Sequence, residues 1–370
     1  MLNIEATLSS VSAAIESAEL MSGREIHSCV MGVSGANVEC LNSKGVVAVA
    51  GKGREITSED IARVHEAAKA VSIPMDREIL HVIPQVYSVD TQKGIRDPLH
   101  MMGVRLESEV HIVTTSVTTS QNMAKCVNRA GYKPERRILG CLAASRSVLS
   151  DDERDLGCLL LDIGGGTTEI AVISLGGIVV NRSLKVAGND MDAAIIHYIR
   201  LRHGLLIGEK TAEEVKMGIG SAYRKTQRSK VKTQKSDEKF EDVEIDEGGR
   251  GEKVALIRGR DIETGLPRSL RITESEIREA ISPVISNIVD EVINVIEETP
   301  PELTADILER GILLTGGGSL LPGVDDLIME KTKIPVTLVD DPLTTVVRGC
   351  AKLLNDPETL NRVKVTGGLR

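Results

Sequence analysis

LLLDIGGGTTEIAV, residues 159–172, decides how this 370-residue chain is read. An apolar run ends on Asp162, glycines follow at 164, 165 and 166, then come two threonines, and apolar alternation resumes from Ile170. The pattern predicts strand, tight turn, strand. Three adjacent glycines in a helix would each cost about 1 kcal/mol against alanine, whereas a hairpin turn uses their freedom at positive φ. Such a turn aims consecutive backbone N–H groups at one spot, and with the Thr167 and Thr168 hydroxyls it can hold a polyphosphate. Asp162, at the strand end, would face a Mg²⁺ on that phosphate through water, because Mg²⁺ gives up its hydration shell reluctantly. The plain alternative is a glycine-rich hairpin with a capping aspartate.

A second cluster favours the first reading. ILLTGGGSLLPG, residues 312–323, is again a buried-type strand running into glycines and then a helix. Two strand-to-glycine loops with no Walker lysine after either suggest a nucleotide held in a cleft between two lobes rather than on a P-loop. Residues 162–168 resemble the second phosphate loop of the actin, Hsp70 and sugar kinase superfamily, and residues 315–318 resemble its adenosine loop. Within that superfamily the chain resembles the bacterial actin homologues.

Composition sets the class. Net charge is −9 and no basic excess attracts nucleic acid. Aromatics are reduced to Phe240 and four tyrosines, so the core is aliphatic and base stacking beyond a mononucleotide is not a binding mode. Six cysteines, at 29, 40, 126, 141, 158 and 350, form no C-x-x-C pair and read as buried reduced thiols. His81 and His111 lie in apolar strand patterns and read as core residues, not metal ligands. With no long apolar run and no signal-peptide pattern, a cytoplasmic protein without a membrane anchor of its own is expected, reaching the membrane's inner face only through partners.

In chain order, residues 5–21 have helical apolar spacing, and strands IHSCVMGVSG and VVAVAG follow, with a turn around residues 42–45. A helix enters at Thr57 with Asp60 three residues on. Strands ILHVIPQVYSV and VRLESEVHIVTTSV complete a small mixed unit at about 24–110. NIEAT, SGANVEC, HVIPQVYSVD, GIRDP and GVRLESEVHIVT resemble FtsA, the actin-like division protein, and the strand-rich unit resembles its inserted 1C, or SHS2, subdomain. The resemblance implies a surface for subunit contact and for recruiting division proteins.

A helix ending at Gly131 leads to ILGCLAAS. The superfamily pattern places Gly140 where many members carry the glutamate that positions attacking water, which implies at most a weak ATPase. From Ile170 to about 355 the chain resembles MreB, the rod-shape filament protein. In that family the segment matching Glu213, Glu214 and Lys216 lies on a helix beside the adenosine, and residues 213 and 216 share a helix face. Thr273 with Glu276 forms a capping box before a helix facing Ile277, Ile281, Val284, Ile285, Ile288, Val292 and Ile296 to a core. Between them, residues 224–247 carry six cations and then an acidic run, read as a solvated, self-neutralising loop or as a patch for anionic lipid or a partner's acidic tail.

The resemblance implies an actin-like ATPase fold of ribonuclease H-like lobes, the first lobe N-terminally incomplete: its D-x-G-T phosphate loop does not occur upstream of Asp162. The expected parts are 1–23, a remnant of IA; 24–110, the 1C-type subdomain; and 111–160, the rest of IA. The second lobe would be IIA, at 161–207 with 305–355, and IIB, at 208–304 with the charged loop, before a tail at 356–370. ATP or ADP with Mg²⁺ would rest on Asp162, Gly164, Gly165, Gly166, Thr167, Thr168, Glu213, Lys216, Gly316, Gly317 and Gly318. The implied function is nucleotide-sensitive self-assembly in bacterial division with an FtsZ-like partner. An MreB-like shape filament is the alternative within the class, and a phosphotransferase or a non-binding scaffold is the alternative outside it.

Overall fold

A computed structural model describes residues 3–50, 55–174, 177–223, 244–245 and 251–356. The first elements are α1 (Ile4–Ser22), β1 (Ser28–Val33), β2 (Val38–Ala48), α2 (Ser58–Lys69), β3 (Arg77–Val89), β4 (Gln92–Ile95) and β5 (Arg105–Ser116). Next come α3 (Val117–Arg129), β6 (Lys133–Leu139), α4 (Gly140–Val148), α5 (Asp151–Leu156), β7 (Cys158–Ile163), β8 (Thr168–Ser174) and β9 (Gly177–Leu184). They are followed by α6 (Gly188–His203), β10 (Leu205–Leu206), α7 (Glu209–Ile219), β11 (Glu244–Ile245), β12 (Gly251–Glu252), β13 (Val254–Asp261) and β14 (Pro267–Thr273). The last are α8 (Glu274–Glu298), α9 (Pro301–Arg310), β15 (Ile312–Thr315), a 3₁₀ turn (Gly317–Leu320), α10 (Val324–Thr332), β16 (Val336–Leu338) and α11 (Thr345–Leu354). The chain divides into two compact units, one of Met1–Gly157, Ala171–Ser183 and Thr344–Arg370, the other of Cys158–Ile170 and Leu184–Leu343.

Within the first unit an antiparallel sheet of order β2-β5-β3-β4 carries α2 on one face. The Thr57–Asp60 capping box opens α2 as its sequence predicts: Thr57 N–H donates to Asp60 Oδ2 (3.0 Å) and Asp60 N–H to Thr57 Oγ1 (3.3 Å). Ile56, Val64 and Ala68 pack on Val82, Leu106, Val110 and Ile112. β2 runs unbroken through residues 42–45, so the expected turn there is absent. Gly45 is needed for another reason: a Cβ on it would lie 2.1 Å from Val64 O and 2.7 Å from Ala68 N. An in-strand glycine here marks the close approach of a helix backbone.

The expected boundary at residue 24 also shifts. β1 pairs in parallel with β6, not with the inserted sheet, which itself extends to Ser116. His81 is buried and its Nε2 accepts the Leu139 N–H (3.0 Å), and buried His111 contacts Asn42 Oδ1 through Nδ1 (2.7 Å). Both are core residues, as read. The last described helix, α11, packs on β6 and α4 through Cys350 and Leu353 against Ile138 and Ala143, and a Cβ on Gly349 would lie 1.7 Å from Ala143 O. Residues 345–354 therefore belong to the first unit, not with 305–343 as expected.

In the second unit β16, β15, β7 and the first part of β8 lie side by side in that order, with β16, β15 and β7 parallel. Leu159, Leu160, Leu161 and Leu314 are fully buried, as expected for strands covered on both faces. β10, β13 and β14 form a second, antiparallel sheet. The Thr273–Glu276 box opens α8, whose buried positions are Ile277, Ala280, Ile281, Ile285, Ile288, Val289, Val292 and Val295. Val284 and Ile296 are only half-buried, because the buried stripe drifts around this 25-residue helix.

No cysteine is in a disulfide, and Cys126, Cys141, Cys158 and Cys350 are buried. Among the described residues no helix is long and apolar enough to cross a membrane. Apart from 244–245, the charged stretch at 224–247 lies outside the described residues, as does the tail beyond 356.

Candidate functional site

Two loops leave the same end of adjacent parallel strands. β7 and β15 pair in register, Leu161 beside Leu314 and Asp162 beside Thr315, and each strand runs directly into glycines. The carboxyl ends of parallel strands are where open α/β sheets place ligands.

After β7 the chain reverses into β8, and the Gly164 N–H donates to Thr167 O (2.9 Å). None of Gly164, Gly165 and Gly166 has a positive φ, which corrects the conformational reason for them. They supply space instead. A Cβ on Gly164 would meet Thr167 O at 3.0 Å, while Gly165 and Gly166 are exposed, with only the Asn189 carboxamide nearby. Thr167 is half-buried. Thr168 is fully buried and its hydroxyl donates to Val186 O (2.7 Å), so its proton anchors the hairpin and is not offered to a phosphate.

Positive φ is instead used in the second loop, where Gly316 sits at +86°. A Cβ there would lie 2.3 Å from Asp162 Oδ1 and 2.4 Å from Ile163 O, and one on Gly318 would lie 2.4 Å from Ile163 Cγ2. The two loops are thus in backbone contact, and only glycine lets them be. Gly316 N–H and Thr315 Oγ1 both donate to Pro342 O, at 3.2 Å each, and Gly317 is exposed at the tip.

Asp162 is half-buried at this junction, its side chain in no hydrogen bond or ion pair among the described residues, and burial pushes its pKa up to about 6. A carboxylate left this way is suited to a cation, which would draw its pKa back down. No group of three or more His, Cys, Asp or Glu among the described residues could hold a metal by itself. That donor set fits a Mg²⁺ held by one carboxylate, water and ligand phosphate rather than by a protein cage.

The N-terminus of α6 backs the hairpin: Gly188 N–H donates to Gly164 O (3.2 Å) and Asn189 N–H to Gly165 O (2.7 Å). α7 joins both loops. Lys216 Nζ donates to Gly188 O (3.0 Å) and Asp192 Oδ2 (2.9 Å), and lies 2.8 Å from Asp192 Oδ1. At the cap of the same turn of α7, a Cβ on Gly220 would touch Leu321 at 3.2 Å, and Ala222 N–H donates to Pro322 O (2.8 Å). Burial raises the Asp192 pKa, and Lys216 opposes that. Glu213 is exposed one turn away. Gly188, Asn189 and Asp192 escape sequence reasoning; the only signal is AGND, a small-residue helix start behind a strand. Gly140 opens α4 in the first unit and carries no side chain to orient water.

Known proteins resemble this chain. The MreB/Mbl protein family matches residues 151–239 and 246–362, and the SHS2 domain inserted in FtsA matches residues 35–114. The cell division protein FtsA of Borreliella burgdorferi is 38% identical over 346 residues, 91% of this chain and 74% of the relative. The cell shape-determining protein MreB of Escherichia coli is 43% identical over 198 residues, 54% of this chain and 50% of the relative. The crystal structure of MreB5 of Spiroplasma citri bound to ADP superposes with a TM-score of 0.55 at 33% identity, covering 67% of each chain. The fold is the actin-like ATPase fold, and the chain belongs to the FtsA cell-division family of bacterial actin homologues, sharing its second half with the MreB/Mbl family.

Proposed function

We propose that the chain binds an adenine nucleotide with Mg²⁺ on the loops that leave β7 and β15, and acts by nucleotide-sensitive self-assembly in bacterial cell division. The observation that carries this is the register of Asp162 and Thr315, which brings a carboxylate with no side-chain partner among the described residues and two glycine loops to one place. Asp162 organises the Mg²⁺ through water. The backbone N–H groups of residues 164–167 and the Thr167 hydroxyl take the phosphates. Gly316, Gly317 and Gly318 pass along the adenosine, and Glu213 reaches the ribose or base. The bound ADP of the MreB5 relative supports this reading. The SHS2-type sheet serves subunit contact and recruitment of division proteins, an FtsZ-like partner among them.

The match to MreB/Mbl over the second half favours one other reading, a cell-shape filament. A fluorescent fusion separates the two: a midcell ring supports division, and patches along the side wall support shape.

Calorimetry with Mg²⁺-ATP tests the binding itself. Micromolar affinity that is lost in Asp162→Ala supports the proposal. No heat from the unmodified chain, in the presence of Mg²⁺, overturns it and leaves a scaffold that keeps the fold alone.

A further inference from the structure

α6 begins without a side-chain cap. Its N-cap residue is Ala187, buried and with no side-chain acceptor for the first turn, while Asp190 Oδ2 accepts the Ala187 N–H (2.9 Å) and holds the turn that leads in. A helix start leaves N–H donors over, and an uncapped one must find acceptors elsewhere. The first two donors of α6 go to the glycine hairpin, Gly188 N–H to Gly164 O at 3.2 Å and Asn189 N–H to Gly165 O at 2.7 Å. The hairpin therefore stands where a serine or aspartate side chain would cap the helix.

Trans peptide bonds turn this contact into a direction. Across each such bond the carbonyl of one residue and the N–H of the next point opposite ways. With the carbonyls of Gly164 and Gly165 both drawn to α6, the N–H groups of Gly165 and Gly166 both point away from it. Neither of these N–H groups has a hydrogen-bond partner among the described residues, whereas Gly164 N–H is spent inside the turn on Thr167 O.

We propose that the hairpin and α6 cap one another. The hairpin carbonyls cap the helix, and Gly188 and Asn189, as positioning residues acting through their main-chain N–H groups, aim the Gly165 and Gly166 N–H groups together at the phosphates. This rests on the nucleotide reading above and narrows it: α6 serves the phosphates only through the hairpin and does not touch them. A helix N-terminus is a ready anion site when its first donors are free, and here they are taken.

Amide hydrogen exchange read by NMR on the full chain, alone and with Mg²⁺-ATP or Mg²⁺-ADP, tests this. Without ligand, Gly188 and Asn189 should exchange about tenfold more slowly than Gly165 and Gly166, after correction for intrinsic rates. Saturating nucleotide should slow Gly165 and Gly166 about tenfold and leave Gly188 and Asn189 as they were. Gly188 and Asn189 fast in the free protein and slowed only by nucleotide would make α6 itself the phosphate site and overturn the proposal. Bound nucleotide that slows neither Gly165 nor Gly166 overturns it too.

Gly188→Pro removes one of the two bonds and spares the helix, because it puts proline at the first helical position behind an extended residue, Ala187 at φ −165°. Calorimetry should then find Mg²⁺-ATP and Mg²⁺-ADP about fivefold weaker, the worth of one hydrogen bond, and adenosine less than about twofold weaker. Gly188→Ala keeps the N–H, and its Cβ would meet only ordinary contacts at 3.4 Å or more, so it should recover most of the loss. An equal loss in Gly188→Ala, or none in Gly188→Pro, overturns the proposal. Should the unmodified chain bind no nucleotide, the nucleotide reading fails. Exchange in the free protein then decides the mutual cap by itself, slow Gly188 and Asn189 upholding it and fast ones overturning it.

Discussion

Gly316 sits so close to Asp162 that a single added carbon would fall 2.3 Å from the carboxylate oxygen. Two segments more than 150 positions apart in the chain therefore constrain one another through backbone alone. Strand register sets this up, since Thr315 is the in-register neighbour of Asp162 and Gly316 is the next step along.

Gly316→Ala is expected to lose nucleotide binding and to destabilise the chain. The φ of +86° and the overlap with Asp162 act together, and strain of this kind costs on the order of 1–3 kcal/mol. Urea denaturation and Mg²⁺-ATP calorimetry check the two effects separately. Gly317→Ala, at the exposed tip with its nearest contact at 3.3 Å, serves as the mild control.

Asp162 has a folded pKa near 6, above its unfolded value, so the ligand-free chain loses stability as pH rises from about 4 through 6. The loss is bounded by about 1.4 kcal/mol per pK unit. Asp162→Asn should remove that loss, becoming the more stable protein at pH 7.5 and equal at pH 4. Its Mg²⁺-nucleotide affinity should vanish at both. A variant less stable than the parent at pH 7.5 would contradict the assignment.

His111 works in the opposite direction. Burial depresses its pKa to about 4, so its contribution is present above pH 6.5 and lost as pH falls towards 4. The inserted sheet should therefore loosen in mild acid before the rest of the chain. Hydrogen exchange of β3 and β5 against β7 between pH 6.5 and 4.5, after correction for intrinsic rates, measures this, and His111→Gln should flatten the difference.

Gly45→Ala should open the inserted sheet. Its Cβ would overlap two backbone atoms of α2, Val64 O and Ala68 N, which no rotamer change can relieve. Overpacking in a tight core costs typically 1–3 kcal/mol. Faster exchange confined to β2 and α2 is the expected readout.

Gly140 leaves α4 without a carboxylate at its start. Phosphate release from Mg²⁺-ATP is expected to stay near background even where binding is micromolar. Brisk turnover would show that another residue orients the water.

The sequence told much of this because glycine clusters and capping boxes act over a few residues. Residues 159–172 and 312–323 read correctly as strands running into glycine turns, and Thr57 and Thr273 both open helices. What stayed hidden depends on contacts between distant segments. Gly45 looked like a turn because nothing nearby reveals the helix against it. β1 looked like part of the inserted sheet because its partner β6 lies more than 100 positions on. Asp192, which pairs with Lys216, stayed hidden because it is on another helix. The glycines at 164–166 were right in place and wrong in reason: crowding and access decide them, not φ.

The docking of α11 on α4 has a consequence for synthesis. The ribosome makes most of the first unit before residue 157, yet the helix whose Gly349 seats against Ala143 emerges only after the whole second unit has been made. At about 5–20 residues per second, that interval is on the order of 10–40 s. During it the Ile138 and Ala143 surface waits uncovered. The part of the chain made first is the part completed last, and a nascent chain stalled before residue 345 would expose an apolar surface for chaperones to hold.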